Sequence, residues 1–183
     1  MNTPWGPAQE QKSIVPGITA VSTAGHGGIH LDADHNKLVP DYMRAKGGWY
    51  EEDCQWSIVA MVFPECFDEK RCHCAENTFR NWYPNQWEQF MGRTLNPGES
   101  HQRDEEVYFA EHKNDMLVTS AQGDWAEGVP KGFVRVTATR GGRRGGCDLE
   151  EALFLVPVSE YHFKGGFAFV VQPHHRKVEV ALA

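Results

Sequence analysis

Apolar and polar positions alternate early in the chain and bunch later. Residues 18 to 24, Ile-Thr-Ala-Val-Ser-Thr-Ala, are β-branched and alternating, which predicts a strand ended by Gly25, Gly27 and Gly28. Ile29 to Leu31 predict a short return strand, Asp32 caps a helix running toward Lys37, and Pro40 opens another that ends near Gly47-Gly48. The strongest helical signal covers Glu51 to Phe63: acids occupy its first turn, where the helix dipole favours them, and Pro64 stops it. Ile58, Val59, Met61, Val62 and Phe63 leave this helix almost no polar face, so it reads as central. From Ala75 to Met91 the aromatics Phe79, Trp82, Tyr83, Trp87 and Phe90 recur at helical spacing, broken at Pro84, and read as core. Asn96-Pro97-Gly98 is a turn, followed by a polar helix from about Ser100 to Lys113.

Beyond Asn114 the pattern changes. Met116 to Ala121, Phe133 to Thr139, Ala152 to Val156, Phe167 to Gln172 and Lys177 to Leu182 each predict a strand, separated by glycine, proline or charge. The expected fold is α+β, a helical N-terminal half packed against a C-terminal antiparallel sheet. The 183 residues suit a single domain, with a mainly helical lobe over 1–95 that opens on a short hairpin, and a helix plus antiparallel strands over 96–183.

Charge narrows the partners. With 25 acidic against 18 basic residues the formal net charge is −7, so the average field repels nucleic acid and favours a basic partner. General DNA binding is not expected. The five cysteines, at 54, 66, 72, 74 and 147, are odd in number and unevenly spread, unlike an oxidised secreted scaffold. The N-terminal residues lack a basic and apolar leader pattern, and no apolar run approaches the ~20 residues that span a bilayer. A reduced, cytoplasmic protein without membrane contact is the expectation.

Chemistry concentrates in a few places. Cys54, in the first turn of the predicted central helix, would feel unsatisfied backbone N–H groups that favour thiolate, while Glu51, Glu52 and Asp53 before it oppose ionisation. With His26 as base and Asp53 or Glu52 orienting it, Cys54 would form the Cys–His pair of a hydrolase or transferase. The alternative is a packed cysteine and a histidine that satisfies turn backbone. The same acids with His26 or His30 also suit a hard divalent cation, although acids at a helix start need no metal.

Cys66, Cys72, His73 and Cys74 contain zinc-type donors, but positions two apart on a helix point to opposite faces, so they could share an ion only from a loop. No cofactor is expected beyond this zinc option. Arg140, Arg143 and Arg144, in Arg-Gly-Gly-Arg-Arg-Gly-Gly between two predicted strands, could grip phosphate or an acidic partner, or form a solvated hairpin tip. On a binding reading the contact residues are these arginines together with Trp49 and Glu51. Phosphate-loop, nucleophile-elbow and zincin motifs are absent.

Several words of the sequence occur together: Thr3-Pro4-Trp5-Gly6-Pro7-Ala8-Gln9, Val21 to Gly28 (Val-Ser-Thr-Ala-Gly-His-Gly-Gly), Gly47 to Trp56 (Gly-Gly-Trp-Tyr-Glu-Glu-Asp-Cys-Gln-Trp), Arg80-Asn81-Trp82-Tyr83-Pro84, Gly123-Asp124-Trp125 and Thr139 to Arg144. In this combination the chain resembles, over nearly its whole length, an uncharacterised domain family of proteobacteria, their phages and plasmids, known only as a domain of unknown function. The cysteines at 66 to 74 and the pair His174-His175 depart from that pattern. The resemblance brings no activity. It implies a mobile-element setting, where small acidic proteins inhibit host defence, and hence a phage or mobile-element accessory protein that binds a host nucleic-acid-processing complex, of the anti-CRISPR or antirestriction type. A zinc-stabilised interaction module is the third reading.

Overall fold

The computed structural model describes residues 1–145, 149–162 and 167–178. The chain divides into two compact units, Met1–Arg103 and Asp104–Ala183. In the first, a miniature hairpin of β1 (Asn2–Thr3) and β2 (Gly6–Pro7) precedes a four-stranded antiparallel sheet. That sheet is ordered β3 (Glu10–Val15), β4 (Ile18–Ser22), β5 (Gly27–Leu31) and β6 (Trp49–Glu51). Four helices accompany it: α1 (Ala33–Leu38), α2 (Trp56–Val62), α3 (Glu69–Trp82) and α4 (Pro84–Met91). Asp32 caps α1 by accepting the His35 N–H, and Asp68 caps α3 by accepting that of Arg71. Between α3 and α4 the chain breaks at Pro84, as the sequence predicts.

A mixed α+β fold is what the pattern predicts, but the N-terminal half is not helical at its start. Strands occupy most of residues 2 to 31, because Glu10 to Val15 pairs with β4 as an edge strand and shows solvent its polar side chains. The predicted helix from Glu51 starts only at Trp56. Trp49, Tyr50 and Glu51 are drawn into the sheet instead, with Ile29 opposite Tyr50 and His30 opposite Trp49. The core gathers Ile18, Ile29, Leu31, Tyr50, Val59, Phe79 and Trp87 from the sheet and helices. Tyr50 is fully buried and donates its hydroxyl to Asn36 Oδ1 at 2.7 Å, while the Ala45 N–H donates to that hydroxyl at 3.1 Å. Trp82, expected in the core, lies 60% exposed, since Phe79 and Trp87 already take the inward positions of their helices.

The second unit contains most of α5 (His101–Glu111) and an antiparallel sheet ordered β10 (Arg176–Val178), β9 (Glu151–Pro157), β8 (Phe133–Arg140) and β7 (Met116–Gln122). Val134, Val136, Val156 and Phe169 form its core. Phe167 to Gln172 is not a full strand: it meets β7 through one bridge, Leu117 to Val170. Ala168 and Phe169 are buried side by side, which breaks the alternation a strand requires. Of the strand expected over 177 to 182, residues 179 to 182 lie outside the described residues. No helix among the described residues is long and apolar enough to cross a membrane.

A bidentate ion pair closes the turn after α4. Arg93 donates to both oxygens of Glu99 at 2.7 and 2.9 Å while its guanidinium lies 4.5 Å from the Trp87 ring centroid. Arg93 first, then the Asn96 N–H, hold the Glu99 carboxyl down at about 2. Because the folded value is depressed, the contribution is complete above the ordinary glutamate range and disappears as pH falls through about 2. A carboxyl-detected NMR titration should place Glu99 near that value, and Arg93→Gln should return it toward the ordinary range. An ordinary midpoint in the unaltered protein would mean that the pair does not persist in solution.

Candidate functional site

Three separated stretches of sequence meet on the outer face of the first sheet. The β1–β2 hairpin is tied by Thr3, whose hydroxyl donates to the Gly6 carbonyl and accepts the Trp5 N–H, so Trp5 stands at its tip. The β4–β5 turn is closed by Thr23, which bonds the His26 backbone in both directions. Residues 49 to 51 supply the last strand. Trp5 packs edge-on against His26 on one side, at 5.5 Å between ring centroids, and against Trp49 on the other, at 5.8 Å. Trp49 in turn lies 4.3 Å from His30, its cross-strand partner. The result is a row of four half-buried rings, His26, Trp5, Trp49 and His30.

Gly28 makes the row possible. A Cβ there would lie 2.3 Å from the Tyr50 carbonyl oxygen and 2.5 Å from Cη2 of Trp5. Gly27 makes the same allowance for the Glu52 carboxylate, at 2.5 Å.

Acids border the row. His26 Nε2 lies 3.6 Å from Glu51 and Nδ1 3.4 Å from Glu52, so a protonated His26 is paired on both nitrogens. Glu51 also organises the turn before α2, with one carboxylate oxygen accepting the Asp53 N–H and the other that of Cys54. Burial raises the Glu51 pKa, but these backbone donors outweigh it and hold the carboxyl below its usual range.

Cys54 therefore differs from its sequence expectation. It sits in this turn, ahead of α2, rather than in a helical first turn. Burial first, and then the charges of Glu51 and Asp53, push its thiol up, away from thiolate. His26 faces Glu51 and Glu52, and no hydrogen bond joins it to Cys54. Nearby Tyr83 is pushed up to about 12, by burial and then by Cys54 and Glu51. The surroundings of Cys54 suppress a nucleophile.

His26, Glu51 and Asp53 each offer a ligand atom, all within 4.8 Å of one another, a donor set that suits a divalent cation. Both Glu51 oxygens already accept backbone N–H groups, so the turn is satisfied without an ion. The zinc-type donors do not gather: Cys72 donates to the Pro64 carbonyl, His73 meets Asn77, Cys74 is exposed on α3, and Cys66 precedes that helix. No three of them lie within ligand distance of one another.

The chain belongs to the family described as "Domain of unknown function (DUF7007)". The match covers residues 1–113, and so includes the whole aromatic row and its acidic border. No curated protein and no solved structure matches the chain. The arginine loop and the histidine pair lie beyond the DUF7007 match.

In that loop, Arg140 pairs with Glu150 at 2.6 Å and Arg144 donates to the Thr119 carbonyl, whereas the Arg143 side chain is exposed. Gly146, the end of the predicted tip, and Cys147 lie outside the described residues. Sequence reading missed a second donor group, Glu160 with His174 and His175. Buried His175 accepts the Gln172 N–H at Nδ1, which leaves the neutral ring's proton on Nε2, directed at Glu160. That tautomer offers a metal no free Nε2 lone pair. Trp5 was missed as a site residue as well, and His30, expected only as a candidate ligand for a hard cation, instead packs against Trp49.

The close approach at Gly28 yields a test. Gly28→Ala should destabilise the protein by about 1–3 kcal/mol through overpacking against the Tyr50 carbonyl and Trp5. Gly25→Ala, where a Cβ meets nothing within 4 Å, should stay within about 0.5 kcal/mol. Denaturant unfolding measures both, and equal stabilities would contradict the packing of Trp5 on Gly28.

Proposed function

We propose that the protein acts by binding, its aromatic row and acidic border forming the contact surface for a basic segment of a protein partner. The observation that carries this reading is the row itself: two tryptophans packed edge to face on a sheet face and flanked by Glu51, Glu52 and Asp53. Tryptophan anchors dominate binding energy at interfaces, and a rim of one charge steers a partner of the other. A net charge of −7 extends the same field over the molecule. Nucleic-acid-processing complexes expose basic channels of the kind such a surface occupies. With the family resemblance, this supports an accessory protein of a phage or other mobile element that inhibits a host defence complex in the host cytoplasm. The raised Cys54 thiol favours binding over a Cys–His hydrolase.

The test is a titration of the full chain against a partner captured from host extract and then purified. Saturation should come near one copy per binding site, and Cys54→Ser should leave it unchanged. Trp5→Ala with Trp49→Ala, checked for retained fold by circular dichroism, should weaken binding at least roughly tenfold. Association should slow as salt rises past ~0.1 M, where charges about 10 Å apart become screened. Turnover at sub-stoichiometric amounts, lost on Cys54→Ser or His26→Ala, would reject binding in favour of the hydrolase.

A further inference from the structure

We infer that the first unit carries a second binding site, a cleft of about 480 Å3 between the edge of its sheet and α2–α3 that takes a small organic anion with an apolar body. Pairing register places Lys12, Ala20, Ile29 and Tyr50 in one row across the sheet, all on its core face. At the Tyr50 end the core covers this row, leaving Tyr50 0% and Ile29 4% exposed. Toward β3 the cover stops, and Ala20 becomes the floor of a cleft that Ile29 borders and Trp56 and Phe67 wall. Two cations stand at it. Lys12 occupies a core-face position of the edge strand, and the Arg71 guanidinium lies 4.7 Å from the Trp56 ring centroid.

The charges define the ligand. Two carboxylates also line the cleft: Asp68 accepts the Arg71 backbone N–H at 2.7 Å to cap α3, and one oxygen of the half-exposed Glu52 lies 3.4 Å from His26. Among the described residues neither Lys12 nor Arg71 has a carboxylate within ion-pair distance, whereas Arg44, Arg93, Arg103 and Arg140 each have one. A neighbouring groove shares Glu52, Trp56, Asp68 and Arg71 and adds a further cation, Lys70. In a chain with more acids than bases, unpaired cations beside an apolar wall provide charge complementarity for an anion. The guanidinium fork suits a carboxylate, sulfonate or phosphate, and the apolar floor suits a ring or short chain attached to it. Burial, and then Glu65, push the thiol of Cys66 up, so it contributes apolar wall rather than a nucleophile.

This site shares Gly28 and Glu52 with the surroundings of the aromatic row but none of its four rings, and its test keeps the two apart. The full chain is titrated with 8-anilinonaphthalene-1-sulfonate and with its uncharged counterpart N-phenyl-1-naphthylamine, followed by dye fluorescence and amide NMR shifts. The sulfonate should saturate one site, shift the amides of Ala20, Ile29 and Arg71, and bind about tenfold more tightly than the uncharged dye. Lys12→Gln with Arg71→Gln should remove about that factor while the melting temperature stays put, and Trp5→Ala should leave sulfonate affinity unchanged. Equal affinity for the two dyes would overturn the proposal, as would undiminished sulfonate binding by the double variant. Lys12 would then only protect an edge strand from pairing, and Arg71 only cover Trp56. Loss of dye binding on Trp5→Ala would place the dye on the aromatic row and equally overturn it.

Discussion

At Gly28 the sheet allows no side chain, because the Tyr50 carbonyl and the Trp5 ring converge on the space a Cβ would fill. Much else in the first unit depends on that approach. On the core face it lets β6 lie close along β5, which buries Tyr50 and sends its hydroxyl to Asn36 of α1. On the outer face it seats the N-terminal hairpin and lines up four aromatic rings. Gly48 supports the same junction from its other end, since its φ of +73° suits glycine and a Cβ would lie 2.2 Å from the Leu31 carbonyl.

The acids beside this row have a structural task that governs their chemistry. Glu51 accepts the N–H groups of Asp53 and Cys54, as a capping side chain does, and so turns the chain from β6 toward α2. A carboxylate kept ionised in this way raises the cost of ionising the adjacent thiol. It also gives His26 an anionic neighbour in place of a nucleophile. An acidic, aromatic surface follows from the turn that suppresses Cys54, which is why binding and cysteine catalysis are opposed readings of one set of residues.

Local signals made part of this fold legible. Asp32 ahead of α1, the alternation of Ile18 to Ser22 and the break at Pro84 act over a few residues, and each appears where its pattern lies. Within the four-stranded sheet of the first unit, two strands escaped. Glu10 to Ser13 carries no strand pattern because an edge strand in solvent needs no apolar alternation, and Trp49 to Glu51 is too short to show a period. Missing β6 moved the start of α2 back to Glu51 and placed Cys54 in a helical first turn it does not occupy. His26 and the acids of residues 51 to 53 were legible as neighbours because glycines and a turn mark both stretches. The role of Trp5 was not, since it arises only when the hairpin folds across a strand more than twenty residues away, onto a glycine whose missing side chain leaves no pattern.

The most direct test of this account is the proton contact it requires between Trp5 and Gly28. Nuclear Overhauser spectra of the full chain should show Hη2 and Hζ3 of the Trp5 indole close to the Hα protons of Gly28, with a further contact from Trp5 to the Trp49 ring. A Trp5 indole with averaged, solvent-like shifts and no contact to Gly28 would contradict it, and the aromatic row would then not exist as a surface.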